Sequence, residues 1–163
     1  PAAGLPAGAE RPVPPAPPGA PPPSGQHPAI SIAVFQFTPR NIEASGYGIT
    51  VANAVVGSVQ KESRVIVLER RELENFLIAN DLQQNDQIDN AANIGSRMGL
   101  SYVIAGTLEK KGSMFITQCK VISVGKRAAV FSRTVTSIGE GNLAGDIGKT
   151  ADAMVAAILR GAR

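Results

Sequence analysis

The hydrophobic and polar positions after residue 28 follow two periods, which predicts alternating strands and helices. Residues 30–37 and 65–68 form apolar runs rich in β-branched side chains, as strands do. The second run does not alternate with polar residues, so we expect a central strand covered on both faces. Residues 49–62 and 69–79 instead repeat apolar positions every three or four residues, which predicts helices.

Both helices are predicted to pack one apolar face on the sheet. These faces consist of Ile49, Ala52, Val56 and Val59 in the first helix and of Leu73, Phe76 and Leu77 in the second. Downstream, Asp89 is a suitable N-cap for a short third helix. Gly99 suits the left-handed position that ends such a helix.

The second half of the chain predicts a meander of strands followed by a helix. Residues 102–110, 114–124 and 128–138 resemble strands separated by tight turns, and residues 143–160 form an amphipathic helix. The complete order is β-α-β-α-α-β-β-β-α. Crossover helices imply parallel pairing early in the chain, and tight turns imply antiparallel pairing later. We therefore expect an α/β fold of the α+β kind, with a single mixed sheet of about five strands and helices on both faces.

The N-terminal segment differs sharply in composition from the rest. Eleven of the twelve prolines lie in residues 1–28. Such a segment buries too little apolar surface to offset the entropy of ordering it, which predicts a disordered, extended tether. As a polyproline II helix it reaches roughly 80 to 90 Å, a good part of the width of a periplasm. The globular domain is then expected at residues 29–163.

Patterns that resemble catalytic motifs are incomplete. Residues 148–150 read Gly-Lys-Thr, like the end of a phosphate-binding loop, but Leu143 stands where that loop needs its first glycine. The glycines of residues 139–141 precede too little chain for a dinucleotide site. The single histidine, His27, lies in the tether, so the single cysteine, Cys119, has no histidine base in the domain and is interpreted as a buried apolar residue.

Charge and composition argue against further classes of function. The net charge is only +3 and aromatic residues make up 4% of the chain, so nucleic-acid binding is not expected. Helical spacing scatters Glu69, Glu72 and Glu74 around an exposed face. The aspartates of residues 81–89 lack the glycine and the final glutamate of a calcium loop. We expect no enzyme activity, no cofactor and no metal.

Three stretches occur in a particular order along the chain. They are Ser63-Arg64 with a short strand and Leu68-Glu69-Arg70, then the strand-like residues 99–107, then residues 120–125 leading to 130–132. In order and spacing they resemble the CsgG family, the curli secretion components of the outer membrane. The second stretch is also similar to a strand of the TolB amino-terminal domain and of LpoB-type lipoproteins. The resemblance covers residues 30–138.

This resemblance implies a non-enzymatic module of the cell envelope. In the main hypothesis it is a CsgG-like periplasmic domain that self-associates in a ring and supports a secretion or assembly machine at the outer membrane or cell surface. In the alternative it is an LpoB-like lipoprotein, a monomer that reaches through the cell wall on its tether and activates a peptidoglycan synthase. The expected partners are copies of the chain and other envelope or secretion proteins. The expected location is the periplasm, at the outer membrane.

The chain departs from CsgG where that family inserts its barrel hairpins. The connections at residues 110–114 and 124–128 are too short to cross a bilayer, so a pore built by this chain alone is not expected. The sequence opens on Pro1 without a methionine, so we expect a processed or trimmed form whose signal segment is not shown. Membrane association is therefore expected only through an unseen anchor or a partner.

Two groups of charged and polar residues are candidate interface residues. Those on the second helix are Arg70, Arg71 and Glu74, and those in the loop at residues 38–47 are Arg40, Asn41 and Glu43. We expect Arg70 or Arg71 to bond across a subunit boundary, because opposite charges on neighbouring subunits select one docking angle. The loop residues either line the centre of a ring or are solvated, and solvation is favoured.

Overall fold

The computed structural model describes residues 29–161, so the tether predicted at residues 1–28 lies outside the described residues. In chain order the elements are β1 at Ile30–Val34, β2 at Thr38–Pro39, a 3₁₀ turn at Ile42–Ala44, α1 at Gly48–Val59, β3 at Val65–Val67, α2 at Arg70–Ala79, α3 at Ile88–Met98, β4 at Tyr102–Lys111, β5 at Met114–Ser123, β6 at Ala128–Ile138 and α4 at Glu140–Gly161. Within residues 29–161, no helix is both long and apolar enough to span a membrane.

All strands join one mixed sheet, which confirms the predicted fold class. The strand order is β3-β1-β4-β5-β6, and β2 pairs with β4 beyond the end of β1. The pairs among β1, β2, β3 and β4 are parallel, whereas β4, β5 and β6 form an antiparallel meander. The sheet therefore has a parallel half and an antiparallel half, as predicted, and β4 belongs to both.

The sheet carries helices on both faces, each over its own hydrophobic cluster. On one face, α1 and α4 pack over even-numbered positions of β1 and β4, including Ile32 and Ile104. On the other, α2 and α3 pack over odd-numbered positions such as Ala33 and Val103. Alternation along the strands explains this division, since successive side chains point to opposite faces. We call the two sides the α1/α4 face and the α2/α3 face.

The predicted central position of β3 is wrong, because β3 lies at one edge of the sheet. Its middle residue, Ile66, keeps 55% of its surface exposed. Only β1 pairs with β3, over the three residue pairs that begin at Ile30 and Val65. The apolar run at residues 65–68 thus marks a strand, but it does not reveal which strands lie beside it.

The first strand and first helix also differ in detail from the prediction. The expected strand at residues 30–37 is interrupted between β1 and β2, where Phe37 N–H donates to the carbonyl of Gly48 at 3.3 Å. This contact fixes how α1 begins, because a Cβ at Gly48 would lie 2.0 Å from the carbonyl oxygen of Phe37. The helix buries Val51 and Val55 together with Ala52 and Val59 of the predicted face, whereas Ile49 of that face is exposed.

The predicted C-terminal end of α3 is confirmed, whereas its predicted N-cap is wrong. Gly99 ends the helix in the left-handed region, with φ of 73°, as expected. At the other end the capping position is Gln87, so Asp89 lies in the first turn and is not the cap. A carboxylate there still interacts favourably with the positive end of the helix dipole.

Cys119 is fully buried in the α1/α4 core, which confirms its interpretation as an apolar residue. Burial raises the pKa of its thiol to about 12, although the positive charge of Arg133 opposes this shift. The thiol therefore stays protonated in the folded protein at neutral and mildly alkaline pH.

A charge introduced into the central strand should unfold the domain. Ile104 is fully buried in β4, so Ile104→Asp places an unpaired carboxylate in the core and is expected to abolish cooperative thermal unfolding. Ile66→Asp is the matched control at the edge strand and should keep a cooperative transition within about 1 kcal/mol of wild type. Circular dichroism melting distinguishes the two, and equal damage by both changes would contradict the edge position of β3.

Thiol labelling should report unfolding. At pH 8 the buried, protonated Cys119 is expected to react with a thiol reagent only through open states, so its rate should rise with urea. The folded pKa of about 12 lies above the ordinary thiol pKa of 9.0, so the protonated thiol adds to the free energy of unfolding below pH 9.0, and this contribution is lost as the pH rises towards 12. Full labelling of the native protein within seconds would show that Cys119 is accessible.

Candidate interaction surface

A groove lies where the first strand is interrupted, between that interruption and the C-terminal half of α2. Its volume is about 540 Å³, and its lining includes Leu77 and Ile78 of α2 and Leu82 of the following loop. Leu77 is buried, whereas Ile78 is 79% exposed. The remaining lining residues are Gln36, Phe37, Thr38, Pro39, Glu74, Gln83 and Gln84. The groove therefore combines an apolar wall with a rim of amides and one carboxylate.

Hydrogen bonds hold the interrupted strand at the groove and the segment that follows it. Gln36 N–H donates to Oε1 of Gln84 at 2.6 Å, which joins the interrupted strand to the loop after α2. Asn41 holds the next segment, since its Nδ2 donates to the carbonyl of Lys110 at 2.7 Å and its Oδ1 accepts from Lys110 N–H at 3.2 Å. These bonds restrict the backbone on the strand side of the groove, which lowers the entropic cost of binding there.

A polar strip of sheet adjoins the groove on the α2/α3 face. One row of paired residues crosses four strands, from Thr38 in the groove wall through Thr107 and Gln118 to Thr134. Neighbouring rows add Lys120, Ser132 and Thr136. We call these seven residues the polar sheet face.

The polar sheet face is partly solvated. The β6 residues Ser132, Thr134 and Thr136 are exposed, whereas Lys120 contacts Oδ2 of Asp86 at 3.2 Å in the loop before α3. The hydroxyl of Thr107 is buried and finds no hydrogen-bond partner within residues 29–161. Hydroxyl and amide groups dominate this surface, so it suits a polar partner.

The structure separates the predicted interface residues of the loop. Arg40 and Glu43 are exposed, as expected for solvated side chains, although Arg40 N–H donates to the carbonyl of Leu108. Asn41 is half-buried and serves the fold, because it caps the 3₁₀ turn and bonds to β4. The loop is therefore anchored, and only two of its three candidates are available to a partner.

The three predicted residues of α2 also lie in different environments. Glu74 lines the groove. Nη1 of Arg70 donates to Oδ1 of Asn53 in α1 at 2.8 Å, so Arg70 already has a partner within the chain. Arg71 is exposed. A bond across a subunit boundary by Arg70 or Arg71 remains a prediction.

Sequence reasoning missed the groove and most of the residues that line it. Ile78 lies outside the apolar stripe that α2 packs on the sheet. Its position directly after Leu77 is the one local feature of the sequence that indicates a second apolar surface. The tight loop at Asp81, with φ of 52°, returns Leu82 to the groove. Among the described residues, no group of three or more histidine, cysteine, aspartate or glutamate side chains is placed to hold a metal.

Comparisons with known proteins identify the fold. No protein-family model matches the chain, and no curated protein sequence does. The C-terminal domain of LpoB from Escherichia coli aligns with a TM-score of 0.55 at 13% identity, over 71% of this chain and 87% of that domain. TolB from Acinetobacter baumannii aligns with a TM-score of 0.53 at 16% identity, over 82% of this chain but only 28% of TolB.

The PelC dodecamer from Paraburkholderia phytofirmans is a third structural neighbour. It aligns with a TM-score of 0.50 at 16% identity, over 79% of this chain and 87% of PelC. Because the sequence identities are this low, the similarity shows a shared fold and nothing more specific. The chain therefore has the fold of the LpoB C-terminal domain and of part of TolB, which confirms that portion of the predicted resemblance, while membership of the CsgG family stays a prediction.

Proposed function

We propose that this chain is a tethered, non-enzymatic binding module of the cell envelope that activates a peptidoglycan synthase, as LpoB-type lipoproteins do. The observation that carries the proposal is the fold shared with the LpoB C-terminal domain over most of that domain. The proline-rich residues 1–28 add a second feature of such a regulator, because an extended tether gives the domain reach through the cell wall. The corresponding location is the periplasm, at the outer membrane.

The groove and the polar sheet face form the docking surface in this proposal. Exposed apolar side chains next to polar rims are typical of protein interfaces, and Ile78 is the most exposed apolar residue of the groove. Its neighbours Gln83 and Gln84 supply amide groups for backbone groups of a partner, the second through its Nε2, because its Oε1 accepts from Gln36 N–H. The synthase partner would thus insert an apolar side chain beside Ile78 and cover the polar rim.

The tether and the domain have separate roles in this scheme. The domain supplies the contacts that activate the enzyme, and the tether sets the distance over which these contacts are available. Removing the tether should therefore leave activation intact when both proteins are free in solution. The same truncation should abolish function in cells, where the domain must span the gap between envelope layers.

The test is glycan polymerisation by the peptidoglycan synthases of the source organism, measured with and without the purified chain. We expect the full chain and residues 29–163 to stimulate one synthase equally. Ile78→Asp should raise the concentration for half-maximal stimulation by about tenfold or more, because burying a carboxylate at an apolar contact is costly.

Ile42→Asp is the matched control, since Ile42 is 90% exposed and lies outside the groove. It should stimulate like wild type, and both variants should melt like wild type. No stimulation of any synthase by the full chain would overturn the proposed function. Equal loss in both isoleucine variants would overturn the groove as its docking surface.

A ring-forming assembly module is the second candidate, and the similarity to PelC, which forms a dodecamer, favours it. In this hypothesis the exposed side of α2 meets a neighbouring subunit. Arg71 is the better candidate for a contact between subunits, because Arg70 is bonded to Asn53 in its own chain. Exposed charges of this kind contribute little to folding, about 0 to 1 kcal/mol.

The ring hypothesis predicts a high oligomer that Arg71→Glu dissociates. Its melting temperature should be unchanged, and the loss of mass should be larger at low salt, where exposed charges interact most strongly. Lys126→Glu, a change in the exposed turn between β5 and β6, is the control. Light scattering gives the masses, and a wild-type protein that stays small at all concentrations would contradict the ring.

A further inference from the structure

The sheet ends at β6 with a long edge that has no partner strand within residues 29–161. β6 spans 11 residues and pairs only with β5. Gly139 N–H donates to the carbonyl of Ser113 at 2.7 Å, which fixes the alternation of hydrogen bonds along the ladder. Odd-numbered residues of β6 therefore bond to β5, and Ser132, Thr134 and Thr136 point their N–H and C=O groups away from the sheet.

This edge has few of the features that normally prevent pairing. Natural edge strands are short, charged, bulged or interrupted by proline. β6 contains no proline and one charge, Arg133, and its only register shift lies opposite Val121 and Ile122, near its start. The opposite edge, β3, is short, with three residues. The two edges are thus unequal, and β6 is the one suited to adding a strand.

We propose that two copies of this chain pair antiparallel through β6, about a two-fold axis at Thr134. Two features fix the position of the axis: the backbone groups of β6 that point outwards, and the charge of Arg133. An axis at Thr134 places Ser132 opposite Thr136 of the other copy and Thr134 opposite its own counterpart. The outward N–H and C=O groups of these residues then form hydrogen bonds between the two copies. An axis at Arg133 would instead place two guanidinium groups opposite each other, which is unfavourable.

Charge complementarity with α4 selects the same axis. Arg133 pairs with Cys119, so its side chain is on the α1/α4 face. On that face α4 packs beside α1 and over β6. Gly148 faces Ser58 of α1, and helical spacing places Asp146, two residues earlier, on the opposite flank, towards the β6 edge.

The level of Asp146 along β6 completes the match. Asp146 lies six residues after Glu140, the start of α4, which is about 9 Å of helix. Because α4 returns along β6, those 9 Å of helix cover roughly three residues of the strand, counted back from Ile138. Asp146 therefore lies level with Val135. A two-fold axis at Thr134 brings Arg133 opposite the Val135 level of the other copy, and hence beside Asp146 of the partner subunit. Each pair of chains thus gains two such contacts between opposite charges.

This pairing goes beyond the proposed function, because it uses the backbone edge of β6 and makes a pair of a chain that the LpoB-like hypothesis expects as a monomer. The groove lies between α2 and the interrupted first strand, on the far side of β4 from β6, and stays open in the pair. The polar sheet face becomes continuous across the two copies, because Thr134 and Thr136 lie next to the axis. A two-fold pair closes on itself, so it also differs from a ring.

Sedimentation of the full chain tests the mass, and cysteine cross-linking tests the axis. We expect a concentration-dependent shift from 16.9 kDa to twice that mass. Under mild oxidation, Thr134→Cys should form a disulfide between copies, because the axis places this residue opposite itself. Ser132→Cys and Thr136→Cys should each fail alone but cross-link when mixed. Cys119 is buried and gives no background.

Charge exchange tests the contact between Arg133 and Asp146. Arg133→Glu and Asp146→Arg should each raise the dimer Kd by about tenfold, and the double variant should restore it to within about threefold of wild type. A protein that stays at the monomer mass up to high concentration would overturn the proposal. So would an oligomer in which Thr134→Cys cross-links no faster than Thr136→Cys, or a double variant no better than the single ones.

Discussion

The whole structure depends on the fit of β4 between its two neighbours. β4 takes parallel partners on one side and an antiparallel partner on the other, so every strand is positioned directly or indirectly by its ladder. Gly106 lies at the tightest point, where an added Cβ would be 1.9 Å from the carbonyl oxygen of Gln118 and 2.6 Å from the ring of Phe37. Only glycine lets the Phe37 ring and the backbone of β5 approach this closely.

The two faces of the sheet receive unequal cover, and this inequality creates the candidate surface. The long α4 and α1 cover the α1/α4 face along much of β4 and β5, which allows Phe115 and Cys119 to be fully buried. On the α2/α3 face, α2 and α3 cover only the half of the sheet that carries Ala33 and Val103. The polar residues of β5 and β6 remain partly solvated beyond them, since no helix of the described chain extends that far. A fold with two complete layers of helices would have neither the groove nor the polar sheet face.

Local pattern was sufficient for elements joined by short turns and insufficient for features that depend on strand order. The bounds of β6 and the left-handed Gly99 followed from the sequence, because turns and caps are set by neighbouring residues. The edge position of β3 did not, since Val65 and its neighbours look equally apolar at an edge or in the centre. Charge alone marks Glu74 as a candidate, yet its place in the groove depends on Phe37 and Pro39, which lie more than thirty residues earlier in the chain. The groove is thus a tertiary feature with almost no local pattern.

If residues 1–28 form the predicted tether and hold the domain at a surface, they would favour pairing through the β6 edge. Two copies anchored side by side have an effective concentration set by the length of their tethers, which for flexible linkers reaches the millimolar range. An edge contact made of backbone hydrogen bonds and two exposed charge pairs is weak in dilute solution, because each such interaction contributes only about 1 kcal/mol. On a surface the same contact becomes populated without any new interaction. Anchored copies would therefore pair at a lower bulk concentration than free copies do, so that density on the surface controls assembly.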